Sequence, residues 1–592
     1  MNLKSLWLIT ADAHIQPHEQ LLFSLYIKLS GHRIPAKLID LSALALLPKL
    51  VESDQAFMTP KSIVRLIGKA DEWTYCERSS NSYTAKAIRD LEKPNYSKLD
   101  IETPMRQIDL LDSWDDISLY RSTEGCCIGH TPALETILAS KKRLTQLNAQ
   151  EIADYKINLL AADLAQQAIA QFLKCDEGPP KAAIFYNDYN IQQAVRSLCI
   201  SKSIPATKIA GKPGSHSSRE FYVSDCFGIE ERYLKRLVWP AASKHLYGDC
   251  SYQSVFLTLF TRITSPNAHT YSPSRIPDVS LRNALGIDTH KKVITLFTSS
   301  NEEIDKDIIL SSLSPLSFPK TASKYNNQHS LVRDLIDIAS SNNHCVHLIV
   351  RIHPRSGEDK RGLGKSPELS GLLDVLHNSK LENITVIEPN SDISSYWLGF
   401  FSDLSIVQAS SIGLELACLG ALVAVACIDD GLYTAYPEGN YYLPIQTKQD
   451  IETILKKIEL YTNSKPQALL RSIQEAASVF TFFEDFFVHD LDTLSALEIY
   501  ELLTINHSVL SQFAHKVEAH RVHLEVPYLP SSDYVISEQP SDPDKSEPLG
   551  YVAANVVLPW AVFGTWAGKV PRYKAVLLYL KKICLYGEDP TC

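Results

Sequence analysis

Two stretches of the chain decide its fold, Val346-His-Leu-Ile-Val-Arg-Ile-His-Pro354 and Asp403-Leu-Ser-Ile-Val-Gln-Ala-Ser-Ser-Ile-Gly-Leu-Glu415. Each begins with an apolar run that predicts a buried strand, Val346–Val350 in the first and Asp403–Val407 in the second. The second stretch continues into a predicted helix, Ile412–Leu419. Strands that alternate with helices build a parallel sheet, and ligands bind such sheets at the carboxyl edge.

The polar residues at these two strand ends favour an anionic ligand. Ser410 and Ser411 open the predicted helix, whose first turn has free N–H groups and the positive end of the helix dipole. At the end of the other strand, His353 stands between Arg351 and Arg355, which add cationic donors. The sequence therefore predicts a phosphate-bearing ligand, with a nucleotide as the favoured example.

The same alternation of strands and helices extends through both halves of the chain. It begins with strand Leu6–Thr10, helix Pro17–Leu29 and strand Ala36–Ile39, and a second series begins at Lys292–Thr298. This pattern predicts an α/β fold with two Rossmann-like, doubly wound domains facing a cleft, followed by a C-terminal helical region and a tail.

Shifts in composition set the expected boundaries. The prediction is an N-terminal α/β domain over residues 1–265, a linker over 266–290, a second α/β domain over 291–450, C-terminal helices over 451–525, a flexible linker over 526–549 and an apolar and basic tail over 550–592. Trp560 and Trp566 precede a cluster of lysines and arginines in the tail. That composition fits docking on the globular body and peripheral membrane contact about equally well, and it fits a true membrane span poorly.

The bulk composition excludes several classes of protein. A formal net charge of −10 over 592 residues argues against general nucleic-acid binding. The twelve cysteines form no CxxC pair, which favours a reducing compartment over a disulfide scaffold or a zinc site. The apolar run at the N-terminus is too short for a signal peptide, so a cytoplasmic location is expected, with peripheral association at the inner membrane as an extension.

The pair His353-Pro354 and Ser410-Ser411 resembles the "HP" and "SS" motifs of bacterial capsule-type glycosyltransferases of GT-B fold. This group includes sialyltransferases and Kdo transferases that use CMP-activated sugars. The segment Lys292–Glu303 is similar to the strand and loop that open the donor domain of that group, and Val386–Tyr396 is similar to part of its nucleotide-binding end. The resemblance covers residues 290–445 and is faint before them.

The resemblance implies a role for each matching residue. His353 would contact a donor phosphate, Ser410 and Ser411 would hold the same phosphates, and Glu415 would accept hydrogen bonds from ribose hydroxyls. The nucleotide sugar is then the donor substrate, and neither a cofactor nor a metal is predicted, because the sequence has no convincing cluster of metal ligands. The predicted donor-binding set is Arg351, His353, Pro354, Ser410, Ser411, Glu415, Ser299 and Ser300.

A catalytic carboxylate is expected from the first domain. Asp188 lies in Tyr186-Asn-Asp-Tyr-Asn190, between a predicted strand and a predicted helix, where the resemblance implies an Asn-containing motif that Asn187 matches and Asp188 does not. Asp12, after the first strand, and Glu124 are the other candidates. Such a carboxylate acts either as a base toward an acceptor hydroxyl or as a nucleophile in a retaining route, and the sequence does not choose between them.

These observations predict a metal-independent glycosyltransferase. The N-terminal domain would bind a glycan or glycolipid acceptor of the bacterial surface, and the second domain would bind the nucleotide sugar, with a CMP-linked acidic sugar favoured. Two alternatives remain open: a polyol-phosphate transferase with a CDP-linked donor, and a catalytically inactive scaffold of similar fold in a polysaccharide assembly complex.

Overall fold

The computed structural model describes most of the chain up to residue 504. The described residues are 3–11, 17–53, 59–79, 85–176, 178–211, 219–224, 281–300, 328–358, 365–408, 410–426, 439–462, 466–484 and 488–504, with isolated residues between 230 and 262, between 309 and 325, and at 437. Asp12, the predicted linker over 526–549 and the predicted tail over 550–592 lie outside this set, as does most of the linker predicted over 266–290.

Internal contacts divide the described residues into two compact units. Unit 1 includes the described residues within Met1–Leu234, Asp305–Phe318 and Phe487–Ala514, whereas unit 2 includes those within Lys235–Ile304 and Pro319–Phe486. The domain boundaries predicted at residues 265, 290, 450 and 525 stay a prediction. A late strand explains the return to unit 1, because Val488–Asp490 pairs with the sheet of that unit.

Unit 1 is built on a seven-stranded sheet covered by helices. Its strands are β1 (Leu6–Thr10), β2 (Ala36–Asp40), β3 (Leu91–Glu92), β4 (Ala182–Phe185), β5 (Ala206–Gly211), β6 (Glu220–Ser224) and β13 (Val488–Asp490). Its helices are α1 (Pro17–Gly31), α2 (Ser42–Ser53), α3 (Pro60–Ser79), α4 (Ala85–Arg89), α5 (Glu102–Asp109), α6 (Trp114–Ser118), α7 (Ala133–Ser140), α8 (Ala149–Cys175), α9 (Asn190–Ser201) and α17 (Ala496–Thr504).

The strand order of this sheet is β13-β6-β5-β4-β1-β2-β3. The strands from β5 to β3 are parallel, and β6 is antiparallel to β5. All five residues of β1 are buried. On one face, Trp7 and Ile9 belong to the hydrophobic core that includes residues of α2, α3, α8 and α9. On the other face, Leu6 and Leu8 belong to the core that includes residues of α1 and α17. A strand covered on both faces has no polar face, which is why β1 is a continuous apolar run.

Unit 2 is built on a six-stranded sheet in which every pairing is parallel, in the order β12-β11-β10-β7-β8-β9. Its strands are β7 (Lys292–Phe297), β8 (Val346–Arg351), β9 (Ile384–Ile387), β10 (Leu404–Val407), β11 (Val423–Ala426) and β12 (Leu443–Ile445). Its described helices are α10 (Leu281–Ala284), α11 (Gln328–Ser341), α12 (Pro367–Asn378), α13 (Ser395–Phe401), α14 (Ile412–Cys418), α15 (Lys448–Thr462) and α16 (Pro466–Glu484).

The structure confirms the α/β fold with two doubly wound domains. The strands predicted over Val346–Val350 and Asp403–Val407 are β8 and β10, each within one residue of its predicted bounds, and the helix predicted over Ile412–Leu419 ends one residue earlier. The sequence did not predict β3, β12 and β13, which have two or three residues each, too few for a pattern of alternation. The cleft expected between the domains stays a prediction.

Candidate functional site

The candidate site lies at the carboxyl edge of the second sheet, where the strand order reverses. The chain runs outward from β7 through β8 to β9, then returns to place β10 on the other side of β7. The last residues of β7 and β10, Phe297 and Val407, are paired in register. Loops that leave such neighbouring strands in opposite directions open a crevice, which is the usual ligand site of this topology. The two predicted serine pairs, Ser299-Ser300 and Ser410-Ser411, therefore follow adjacent strand ends.

Thr298 fixes the end of β8 beside the end of β7. Its hydroxyl donates to the carbonyl oxygen of Arg351 at 3.3 Å and accepts from the backbone N–H of His353 at 2.7 Å. Pro354 then begins a short 3₁₀ turn, Pro354–Ser356. The backbone N–H of Arg355 donates to Nδ1 of His353 at 3.2 Å. A neutral imidazole whose Nδ1 accepts has its proton on Nε2, so His353 is set as an Nε2–H donor.

Arg351 is a buried cation at the end of β8, with only 2% of its surface exposed. Its Nη1 donates to the carbonyl oxygen of Glu388, while Nε and Nη2 have no hydrogen-bond partner within the described part of the chain. Burial lowers the pKa of the guanidinium to about 10, so it stays charged at neutral pH. A buried charge of this kind is expensive unless an anion compensates it.

Two further polar side chains at this edge are buried with an unsatisfied atom. Ser300 follows β7 and is 2% exposed, and Gln408 follows β10 and is 1% exposed. Neither Oγ of Ser300 nor Oε1 of Gln408 has a hydrogen-bond partner among the residues described. With Arg351, they put four unsatisfied atoms at the ends of three adjacent strands. Unsatisfied buried groups are rare in folded proteins, so this concentration points to a polar ligand.

Side-chain hydrogen bonds to the backbone fix the loops that present these groups. The side-chain amide of Gln328, at the start of α11, accepts from the N–H of Ser299 and donates to its carbonyl oxygen, both at 2.6 Å. Nε2 of Gln408 donates to the carbonyl oxygen of Tyr325 at 3.1 Å. The sequence analysis missed Gln328, and no local pattern marks it, because its partner lies 29 residues away.

Glu415 has partners other than the predicted ribose. It is 5% exposed, and its Oε1 accepts from Nη1 of Arg262 at 2.8 Å, while its Oε2 accepts from the hydroxyl of Tyr396. Burial, reinforced by this carboxylate, raises the pKa of Tyr396. Ser411 occupies the N-cap position of α14 but makes no side-chain capping bond, so its hydroxyl is not used to cap the helix.

In unit 1, Asp188 and Glu124 occupy different surroundings. Asp188 follows β4, and its Oδ2 lies 2.7 Å from Nζ of Lys208 on β5. Glu124 lies, half-buried, in the turn between Arg121 and Cys127, which form an isolated bridge. No hydrogen bond or ion pair joins Glu124 to Asp188 in the part of unit 1 that the structure describes. The third candidate, Asp12, lies outside the described residues.

Two searches of the described residues concern metals and membranes. They contain no group of three or more His, Cys, Asp or Glu side chains placed to hold a metal ion. None of the described helices combines the length and the apolar character needed to cross a membrane.

The chain has distant likenesses to solved structures. No family model matches it, and no curated protein matches it in sequence. One neighbour is the beta Kdo 2,4 transferase of KpsC from Thermosulfurimonas dismutans, 12% identical with a TM-score of 0.30 over 55% of this chain and 87% of that chain. The beta Kdo 2,7 transferase of the same protein is 13% identical with a TM-score of 0.28 over 57% of this chain and 88% of that chain.

A third neighbour is a UDP-GlcNAc 2-epimerase from Methanocaldococcus jannaschii, solved with UDP-GlcNAc and UDP. It is 13% identical with a TM-score of 0.26 over 78% of this chain and 93% of that chain. Kdo transferases, one of the groups that the sequence resembles, are thus among the structural neighbours. TM-scores this low assign no activity to this chain.

Proposed function

We propose that the protein is a glycosyltransferase whose unit 2 binds a nucleotide-activated sugar through its phosphate. One observation carries this proposal: Arg351, Ser300 and Gln408 are buried at the point of strand reversal with polar atoms that lack partners in the described chain. A phosphate beside them would accept from the guanidinium and the serine hydroxyl, and a sugar or ribose hydroxyl would donate to the glutamine oxygen.

The chemistry of glycosyl transfer fits these donors. As the bond between the anomeric carbon and the phosphate oxygen breaks, negative charge grows on the phosphate. A fixed guanidinium from Arg351 and an oriented Nε2–H from His353 stabilise that charge without reorganising during the reaction. Because Arg351 supplies a permanent positive charge, we expect turnover and nucleotide affinity to be equal in EDTA and in millimolar Mg²⁺.

Finer features of the proposal come from the sequence resemblance. A CMP-linked acidic sugar is the favoured donor, and a surface polysaccharide or glycolipid is the favoured acceptor. Residues 550–592 would give peripheral contact with a membrane. Co-sedimentation with anionic liposomes, with and without these residues, tests that contact, and equal sedimentation of both proteins would contradict it.

Isothermal titration calorimetry with CMP, CDP, UDP and GDP tests the donor site. We expect one nucleotide to bind the wild type and to bind His353→Ala at least about 10-fold more weakly, the loss of one charge-assisted hydrogen bond. His347→Gln is the matched control, because His347 lies near the opposite end of β8, where its Nε2 contacts Thr385 at 2.8 Å. Its affinity should equal that of the wild type.

The outcomes separate the alternatives. CMP binding supports the favoured donor, whereas CDP binding with transfer of a phosphoryl-linked group would support the polyol-phosphate transferase. Nucleotide binding without release of nucleotide from any activated sugar would support an inactive scaffold. No binding by any of the four nucleotides would overturn the proposed donor site.

A further inference from the structure

Helix α3 of unit 1 presents a row of cations to solvent. On its other side it packs into the hydrophobic core of the unit through Ile63, Leu66, Ile67 and Ala70. Lys61, Arg65 and Lys69 follow one another at intervals of four residues, and all three are exposed. Residues four apart are neighbours on the surface of a helix, so these side chains form one cationic stripe along α3.

Exposed apolar side chains flank the cationic stripe. Val64 is 38% exposed, Trp73 is 43% exposed and Tyr75 is 49% exposed. At 3.6 residues per turn, Val64 and Tyr75 lie on one side of the stripe and Trp73 on the other. Tryptophan and tyrosine favour the headgroup level of a membrane, because each has an apolar ring and a polar tip. A helix face with cations and a tryptophan is typical of contact with a membrane surface.

The cationic stripe is unfavourable for the helix in water. Its adjacent members are like charges at i and i+4, a spacing that destabilises a helix. Neither of its two lysines has an ion-pair partner in the part of the chain that the structure describes. Among the acids described in α3, Asp71 is half-buried and lies 2.8 Å from Nζ of Lys93, and Glu72 faces solvent. Helix stability therefore does not explain the stripe, whereas a surface of anions would relieve its repulsion.

We infer that this face of α3 is a contact surface for an anionic phospholipid bilayer. The cations of the stripe would pair with headgroup phosphates, and Trp73 and Tyr75 would lie at the headgroup level. The chain as a whole has a net charge of −10, but at about 0.1 M salt exposed charges farther than about 10 Å away are largely screened. The contact is formed by unit 1 alone, so it depends neither on the proposed donor site nor on residues 550–592.

Co-sedimentation of the full chain with vesicles measures this contact. We expect binding to vesicles that contain phosphatidylglycerol, and much weaker binding to phosphatidylcholine alone. Binding should be lost at about 1 M salt, where the Debye length is about 3 Å. The double variant Lys61→Gln, Lys69→Gln should lower the partition coefficient about 30-fold, about 5-fold for each cation removed. Trp73→Gln keeps the charge and should also weaken binding, because partitioning depends on the apolar area that enters the interface.

The double variant Lys174→Gln, Lys202→Gln is the matched control. Lys174 lies in the last turn of α8 and Lys202 directly follows α9, and both are exposed. It changes the net charge by the same amount and should bind vesicles as the wild type does. Equal partition coefficients for the wild type and the Lys61 and Lys69 variant, or an equal loss in both double variants, would overturn the inference.

A labelled single-stranded DNA tests whether the stripe binds a soluble polyanion instead. We expect no change in its fluorescence anisotropy at protein concentrations that saturate the anionic vesicles. DNA binding that the Lys61 and Lys69 variant loses, in a protein that does not sediment with anionic vesicles, would assign the stripe to a nucleic acid and overturn the inference.

Discussion

Replacement of Arg351 by methionine should separate stability from binding. The guanidinium is 2% exposed, and burial lowers its pKa to about 10 from 12.5. In its charged form it therefore opposes folding by about 3 kcal/mol, at every pH below about 10. Methionine removes that penalty and fills a similar volume, but it also removes the hydrogen bond to the carbonyl oxygen of Glu388, worth about 1.5–3 kcal/mol.

These two effects nearly cancel in the absence of ligand. We expect the thermal midpoint of Arg351→Met to lie within about 5 °C of the wild type, since one kcal/mol shifts the midpoint of a unit of this size by about 2–4 °C. Nucleotide affinity should fall about 10- to 150-fold, because a charge-assisted hydrogen bond to phosphate contributes about 1.5–3 kcal/mol. Saturating nucleotide should raise the midpoint of the wild type more than that of the variant.

Arg196→Met is the matched control, because Arg196 is also a buried arginine but has a carboxylate partner. Its Nη1 and Nη2 lie 3.3 and 2.8 Å from the two carboxylate oxygens of Glu230. Removing it takes the arginine away from a buried carboxylate, which costs about 3–5 kcal/mol, and should not change nucleotide affinity. Scanning fluorimetry measures the thermal midpoints of the two variants, and calorimetry measures their nucleotide affinities. If the thermal midpoint of Arg351→Met falls as far as that of Arg196→Met and nucleotide binds normally, Arg351 is a structural residue and does not bind the phosphate.

Three further predictions concern stability. Burial lowers the pKa of His347 to about 4 from 6.5, so the folded state binds fewer protons in this range. The contribution of neutral His347 to the free energy of unfolding is therefore full above pH 6.5 and is lost as the pH falls toward 4. The free energy of unfolding of His347→Gln should decrease less than that of the wild type over this pH range. Glu415→Gln should destabilise unit 2 by about 3 kcal/mol, because it removes the carboxylate that pairs with Arg262, and an unchanged thermal midpoint would contradict the ion pair. Gly129→Ala should destabilise the protein by more than about 3 kcal/mol, because a Cβ there would lie 1.9 Å from the carbonyl oxygen of Ile117 in α6. Gly68 is exposed in α3 with open space around it, so Gly68→Ala should stabilise the protein by about 0.5–1 kcal/mol. Urea titrations measure both changes in the free energy of unfolding.

Much of the architecture of unit 2 could be predicted from the sequence. Parallel strands that are buried on both faces appear as continuous apolar runs, so β8 and β10 each lie within one residue of the bounds that the sequence predicts. The prediction missed β6, an antiparallel strand of unit 1, and β13, which reaches the same sheet from the far end of the described chain. Short strands at sheet margins have few residues and no characteristic periodicity, so their assignment depends on the partner strand.

The candidate site was predictable in its motifs but not in its interactions. The sequence indicates that His353 and the serine pair Ser410-Ser411 follow buried strands. It does not indicate that Glu415 pairs with Arg262, because these residues are separated by 153 positions and belong to no shared pattern. The same holds for Asp188 and Lys208, each of which alone has the appearance of an ordinary polar residue.

The sequence by itself determined where strands end and which polar side chains follow them, because burial on both faces of a sheet requires local runs of apolar residues. The tertiary structure decided which strand ends become neighbours. The return of β10 to the side of β7 puts the strand end before Gln408 next to the strand end before Ser300, and the pairing of β7 with β8 puts Arg351 on the other side of β7. Strand pairing is a contact between distant segments, so only the folded chain shows which buried polar atoms lack partners and can bind a ligand.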